Sequence, residues 1–435
     1  MFRVTALASL IALAGCHRQV DAPGEAPAGL AVTPGDGQVT VSWIQQPGLT
    51  YWIFFQAGST VTAAAPGVPL IFDAQSPRVV FPLTNGTQYA FVMNATNRDS
   101  KAGPSTPVMT QTPMLAGVNW TSGAPLGSPP QNLNGVAYGP TTNRIVTVGN
   151  SAPGTPRTPT IFAGDFNYTS TNPNPPGVTA WTPAASIPAG FVSDLSAVMF
   201  SGSLFIALGT DGSILTSPDG STWTAAASVP SGGASGPRMN SIAFAIVSGA
   251  TIYVAVGDGG SIFTSKDNLI TWVPAASTTT SDLYNVSSPN GSFVATGANG
   301  TLLTSADAST WVAQNSNTPN ALRGATYGTG SAAGASAQYV VVGDSGTIVT
   351  STNGTTWSPT TLPGVPNLRA IRFGTRFVAV GQEVVVGQGA AVVYSDDAIK
   401  WSSSAVPGSA DLASIIFTPA MYLAVGASGA NAVSK

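Results

Sequence analysis

The sequence predicts an all-β chain: a short N-terminal export segment, a small β-sandwich, and then a seven-bladed β-propeller. Three observations lead there. Between residues 29 and 113 apolar and polar residues alternate in short runs, as at Val39, Thr40, Val41, Ser42 and Trp43, the period of a half-buried strand. From about residue 116 onward the chain repeats itself. Finally, only 8% of the residues are charged, against roughly 25% in ordinary soluble domains. Gly, Ser, Thr, Asn and Pro take their place, a mixture suited to short strands joined by tight turns.

Composition removes several function classes. The formal charge is -3 and no basic stripe is present, so nucleic acid is not an expected partner. No run of 18 apolar residues follows the N-terminal segment, so no membrane-spanning helix is expected. A single cysteine forms no internal disulfide. His17 is the only histidine, which excludes Ser/His/Asp catalysis and histidine-based zinc sites. Glutamate occurs only at Glu25 and Glu383. No catalytic residue, metal or cofactor is expected.

The N-terminus carries one charge, Arg3, then an apolar run from Val4 to Ala14, too short to span a bilayer, and then Gly15 and Cys16. Leu13, Ala14, Gly15 and Cys16 resemble the lipobox of bacterial lipoproteins. The resemblance implies cleavage before Cys16, acylation of that residue, and attachment to a membrane through buried acyl chains, each CH₂ contributing about 0.8 kcal/mol. Residues 1–15 are then a signal peptide and 16–28 an acylated tether, without periodicity and with two prolines, Pro23 and Pro27. His17 stands where an Asp would mark inner-membrane retention. By resemblance the expected location is the bacterial cell envelope, at the outer membrane.

Residues 29–113 read as the sandwich. Residues 51–55, Tyr-Trp-Ile-Phe-Phe, are a second strand candidate, and Leu83, an Asn-Gly-Thr turn, Tyr89 and an alternating run to Ala95 follow. This piece resembles the fibronectin type III signature. The resemblance makes Trp43 the buried strand-B tryptophan and Tyr89 the corner tyrosine, with the last strand and exit between Gly103 and Pro113. Such modules act as spacers or contact surfaces.

Residues 114–435 read as the propeller. Tryptophans fall at 120, 181, 223, 272, 311, 357 and 401, and a Leu or Met opening an apolar strand falls at 133, 195, 239, 283, 322, 368 and 412. After a longer first repeat, which holds a Pro/Thr-rich insertion near 151–178, both series step by 39 to 49 residues, the length of a four-stranded blade. Ser217, Asp219 and Trp223 resemble the Asp box of bacterial neuraminidase repeats, one residue short. Ser305, Asp307 and Trp311 are a close copy. Ser265, Asp267 and Trp272, then Ser351, Asn353 and Trp357, then Ser395, Asp397 and Trp401 are degenerate ones. Their expected role is structural: a short Asp or Asn side chain pins the turn by accepting nearby backbone N–H groups, and the tryptophan packs between blades. The last repeat ends at residue 435 without a tryptophan strand, whereas Trp120 precedes the first inner strand. Residues 117–122 are therefore expected to close the ring and cover its edge.

Two polar rows flank the start of each inner strand. One residue after the opener stand Asn134, Ser196, Asn240, Tyr284, Arg323, Arg369 and Ala413. One residue before it stand Asn132, Asp194, Arg238, Asp282, Ala321, Asn367 and Asp411. Both rows are expected to ring one mouth of the channel, opposite the Asp-box turns. The candidate ligand-binding residues are Arg238, Tyr284, Arg323, Arg369, Asp194, Asp282, Asp411, Asn134 and Asn240. Two readings of them are open: they bind a ligand, or they pair with one another around a solvated mouth. Sialidases likewise gather arginines from separate blades onto a carboxylate. They also need a Tyr–Glu pair and an acidic acid/base residue, and Glu383 is misplaced for Tyr284.

Three functions follow as expectations. The first is a lipid-anchored, non-enzymatic binding protein, whose propeller recognises a glycan or protein ligand. The second is a sialidase-like glycoside hydrolase. The third is an assembly or maturation factor that holds a client protein, as similar Asp-box-like propellers of photosystem assembly do.

Overall fold

A computed structural model of the chain describes residues 21–97, 101–152, 158–167, 177–178, 180–230, 236–332, 334–383, 389–408 and 410–435. The expected signal segment, Cys16 and part of the 151–178 insertion lie outside them. The described chain divides into two compact units, one built mainly from residues before Met114 and the other from Met114–Lys435.

The first unit has seven strands: β1 (Ala31–Gly35), β2 (Gln38–Ser42), β3 (Leu49–Ala57), β4 (Leu70–Ile71), β5 (Arg78–Val80), β6 (Tyr89–Asn97) and β7 (Met109–Gln111). They form two sheets in the orders β1-β2-β5 and β4-β3-β6-β7. Val39, Val41 and Val80 from one sheet share a buried cluster with Tyr51, Ile53, Phe91 and Met93 from the other. Trp43 joins this cluster, its ring centroid 5.4 Å from that of Tyr51. The Tyr89 hydroxyl accepts the Thr84 N–H at 3.2 Å.

The second unit is a β-propeller with seven four-stranded sheets among the described residues. We number them blades 1 to 7 by their inner strands: Leu133–Gly139, Leu195–Phe200, Met239–Val247, Leu283–Ser287, Leu322–Thr329, Leu368–Phe373 and Leu412–Thr418. Seven buried clusters hold them together. Each joins consecutive blades, and the last joins blade 7 to blade 1 through Leu423 and Val425 against Leu133 and Ile145. The second strands are therefore buried on both faces. Phe205–Gly209 is buried along its whole length, and it reads as a continuous apolar run instead of an alternating one.

Every repeated tryptophan stands immediately before the fourth strand of its blade and packs on the interface with the preceding blade. Trp223 of blade 2, for example, lies among Val146, Val148 and Ile161 of blade 1. The ring closes through β8 (Thr121–Ser122), which pairs antiparallel with Asn431–Ser434: Val433 faces Thr121 and Ala432 faces Ser122. The Gly117 N–H is accepted by the Ser434 hydroxyl at 2.8 Å, and Trp120 is buried between blades 6 and 7.

Candidate functional site

All seven inner strands surround a channel that encloses about 550 Å³. Each begins with the same irregularity: the ladder to the second strand skips the residue after the opener, as between Leu368 and Ala370. A one-residue bulge re-aims the side chain at that point. Consecutive residues thus line the channel at the start of each inner strand, the apolar row from Val136 to Ile415 included. The small row Gly135, Ala197, Ser241, Asn285, Gly324, Ala370 and Ser414 faces it, and so does the adjacent row Asn134, Ser196, Asn240, Tyr284, Arg323, Arg369 and Ala413.

Several members of this second row are already engaged. Asn134 donates to Asn150 Oδ1 at 2.8 Å and to the Leu195 carbonyl of blade 2 at 2.8 Å. Asn240 repeats the arrangement with Asp258 Oδ1 and the Leu283 carbonyl of blade 4, both at 2.9 Å. Arg323 forms a two-pronged pair with Asp344, Nε to Oδ1 and Nη2 to Oδ2, the latter at 2.9 Å. The Asp344 hydrogen bond raises the Arg323 pKa above its ordinary value, against the opposing cost of burial. The guanidinium of Arg323 also lies over the Tyr284 ring, 4.9 Å from its centroid. Arg369 is held more loosely: its nearest carboxylate is Asp411, at 3.5 Å.

The other polar row does different work. Its backbone carbonyls accept the first N–H of the turn after the second strand of their own blade, as Asp282 does from Ala298 at 2.9 Å. Five of its side chains reach back to the equivalent turn of the preceding blade. Asp194 accepts from Ser151 at 2.7 Å, Asp282 from Gly259 at 2.8 Å, Asn367 from Ser345 at 2.8 Å, Asp411 from Glu383 at 2.9 Å, and Asn132 from Ser428 at 3.0 Å. These contacts stitch blade to blade. Asp194, Asp282 and Asp411 do not line the channel, contrary to the expectation that both rows ring it. Arg238 does not line it either. It is exposed, and its side chain has no hydrogen-bonding or ionic partner among the described residues. The turns come so close that a Cβ at Gly257, Gly297 or Gly426 would overlap the carbonyl of Arg238, Asp282 or Asp411, which accounts for the recurring glycine at the end of the second strand.

The Asp-box residues lie between the third and fourth strands, at the opposite end of each blade. Asp219 Oδ1 accepts the Ser221 and Thr222 N–H groups at 2.8 Å and the Ser217 hydroxyl at 3.0 Å, while Ser217 Oγ accepts the Gly220 N–H at 2.8 Å. Asp307 holds Ser309 and Thr310, Asn353 holds Thr355 and Thr356, and Asp397 holds Ile399 and Lys400 in the same way. Ser305, Ser351 and Ser395 donate to these three side chains at 3.1 Å. Trp223, Trp357 and Trp401 donate to the carbonyls of Gly220, Gly354 and Ala398. In blade 3 the box is longer. Asp267 accepts from Thr271 N–H at 2.9 Å and from Ser265 at 2.9 Å, and Trp272 bonds Ala227 of blade 2. The Thr271 hydroxyl and N–H bring the Asp267 pKa down to about 2. Trp311 is buried without a partner for its indole N–H among the described residues.

Two groups of residues at or beside the channel escape the sequence reading. Asn150, Asp258 and Asp344 each follow the recurring glycine and pair with the polar row of their own blade. The visible signal was a matched identity within each repeat: Asn with Asn150, Asn with Asp258, Arg with Asp344. The second is Arg372, which lines the channel beyond the small row. No repeat shares a charge at that position, so no periodicity marks it.

Among solved structures, the chain is similar to YCF48 bound to a D1 peptide, with a TM-score of 0.53 at 17% identity over 72% of this chain and 96% of that one. It is also similar to YCF48 from Cyanidioschyzon merolae, with a TM-score of 0.48 at 16% identity over 72% of this chain and 98% of that one. No family model and no curated protein matches the chain. At such identity the likeness concerns fold alone, and it agrees with the seven sheets: the second unit is a β-propeller.

Proposed function

We propose that this protein is a lipid-anchored binding protein of the bacterial cell envelope, whose propeller holds a client protein at the mouth sector formed by Tyr284, Arg323 and Arg369. The observation that carries this reading is the adjacency of those three side chains on blades 4, 5 and 6, with no Asp or Glu among the described residues lining the channel. A basic, aromatic sector suits a peptide bearing a carboxylate, because guanidinium groups pair carboxylates in two-pronged fashion and an aromatic face packs against chain. The likeness to a propeller bound to a peptide supports a protein segment, in place of a glycan, as the ligand. A glycosidase needs two carboxyl groups flanking its bond, or a tyrosine activated by one. The Tyr284 ring instead faces a guanidinium.

In this reading the first unit is a fibronectin type III spacer, supported by its strand orders β1-β2-β5 and β4-β3-β6-β7 and its buried Trp43. Cys16 carries the lipid that tethers it to the outer membrane. Wild-type protein should take up radiolabelled palmitate and fractionate with membranes, and Cys16→Ala should do neither. Soluble, unlabelled wild type would remove the anchor from the proposal.

For the client, a photo-crosslinking residue at position 284 should trap one envelope protein in living cells. The same residue at exposed Ile399, outside the channel, should not. The adduct should disappear when Arg323 and Arg369 are both alanine. Equal trapping at both positions, or an adduct with polysaccharide alone, would count against a protein client.

A further inference from the structure

The channel contains a cation that the mouth does not account for. Arg372 lies three residues past Arg369 on the inner strand of blade 6, beyond the small row, about 10 Å further along at the rise of a strand. The equivalent residues Ala137, Met199, Ala243, Ser287 and Ile416 line the same channel and carry no charge. Arg144, Arg323, Arg369 and Arg376 of the propeller each have a carboxylate partner. The Arg372 side chain, with five N–H donors, has neither an ion pair nor a hydrogen bond among the described residues, and the residue lines a cavity with room for a ligand.

We propose that Arg372 is the centre of an anion site inside the channel, taking a single carboxylate or an inorganic oxyanion. The channel walls hold three guanidinium groups and, among the described residues, no carboxylate. Charges of one sign in a low-dielectric cleft focus the field and concentrate counter-ions. Arg323 and Arg369 each have a carboxylate beside them, Asp344 and Asp411, whereas Arg372 has none among the described residues. Surrounding protein lowers its pKa. Arg372 is nonetheless exposed to solvent in the channel, and a guanidinium so hydrated stays cationic at neutral pH. The site goes beyond the mouth reading and stands or falls separately from it.

Selenate is the probe, followed by its anomalous scattering in crystals and by calorimetric titration in solution. Bound selenate is expected within hydrogen-bond reach of the Arg372 guanidinium, about 3 Å between heavy atoms. Arg372→Met should weaken it at least about tenfold, the loss of a charge-assisted contact. Arg372→Lys, which keeps the charge, should retain the peak and remains usable if the Met variant folds poorly. Replacing Arg323 and Arg369 with Gln should leave the inner peak in place. Competition by N-acetylglycine but not by N-acetylglycinamide would identify a chain-terminal carboxylate as the occupant. Selenate binding without that competition would identify a free oxyanion. Selenate found only at the mouth, or bound equally by wild type and Arg372→Met, would overturn the proposal.

Discussion

Asp282 makes two kinds of hydrogen bond that belong to different blades. Its carbonyl accepts from Ala298 in its own blade, and its carboxylate accepts from Gly259 in the blade before. The second bond needs an acceptor and no charge, since Asn132 and Asn367 fill equivalent places. Asp282→Asn should therefore unfold at nearly the wild-type denaturant midpoint. Asp282→Ala leaves the Gly259 N–H without its partner and should cost about 1 kcal/mol at this half-exposed site. Equal losses in both variants would mean that the charge matters instead. In sequence, a structural acceptor and a ligand-binding acid look alike, which is why Asp194, Asp282 and Asp411 read as site residues. The two asparagines in the same row were the available clue. Arg323 shows the converse: its place at the mouth was legible, but its partner Asp344 sits on a turn 21 residues away and could be found only by matching repeats.

At the scale of the element, the Asp-box turn explains why these sequences recur with loose spacing. One side-chain oxygen gathers two backbone N–H groups in blades 2, 4, 5 and 6, whether the residue is Asp219, Asp307, Asn353 or Asp397. The longer loop of blade 3 reaches the same end through Thr271. This gives a pH prediction with a definite sign. The folded Asp267 pKa, about 2, lies below the unfolded value of roughly 3.9. Its contribution is complete above the unfolded value and is lost as pH falls through the folded one. The melting-temperature difference between wild type and Asp267→Asn should accordingly shrink between about pH 4 and pH 2. A difference that stays constant over that range would contradict the assignment. The bulge at the start of each inner strand was not legible, because it requires no particular residue. For that reason the sequence pattern alone does not show that consecutive residues of each inner strand line the channel.

For the molecule as a whole, seven interfaces between blades make a ring that a strand from ahead of the first blade closes. The tryptophan period and the unpaired last repeat were enough to predict that closure, because each tryptophan occupies one defined place, before a fourth strand and against the preceding blade. β8 is only two residues long, so Trp120 and the Gly117 contact to Ser434 carry much of the closure. Trp120→Ala should cost about 3–5 kcal/mol, the usual loss for a buried aromatic, and should lower the propeller's melting transition. A propeller transition unchanged by this substitution would place the closure elsewhere.

The central claim is that one sector of this ring, Tyr284 with Arg323 and Arg369, holds a protein client. The most direct measurement is the affinity of the segment trapped at position 284, titrated as a peptide into wild-type protein and into the Arg323→Ala, Arg369→Ala double variant, with melting temperature recorded for both. Each charge-assisted bond to arginine contributes roughly 1.5–3 kcal/mol, so the double variant should bind at least tenfold more weakly, by the same estimate, while its blades melt close to wild type. Undiminished affinity in a folded double variant would contradict the claim and move the client to another surface of the propeller.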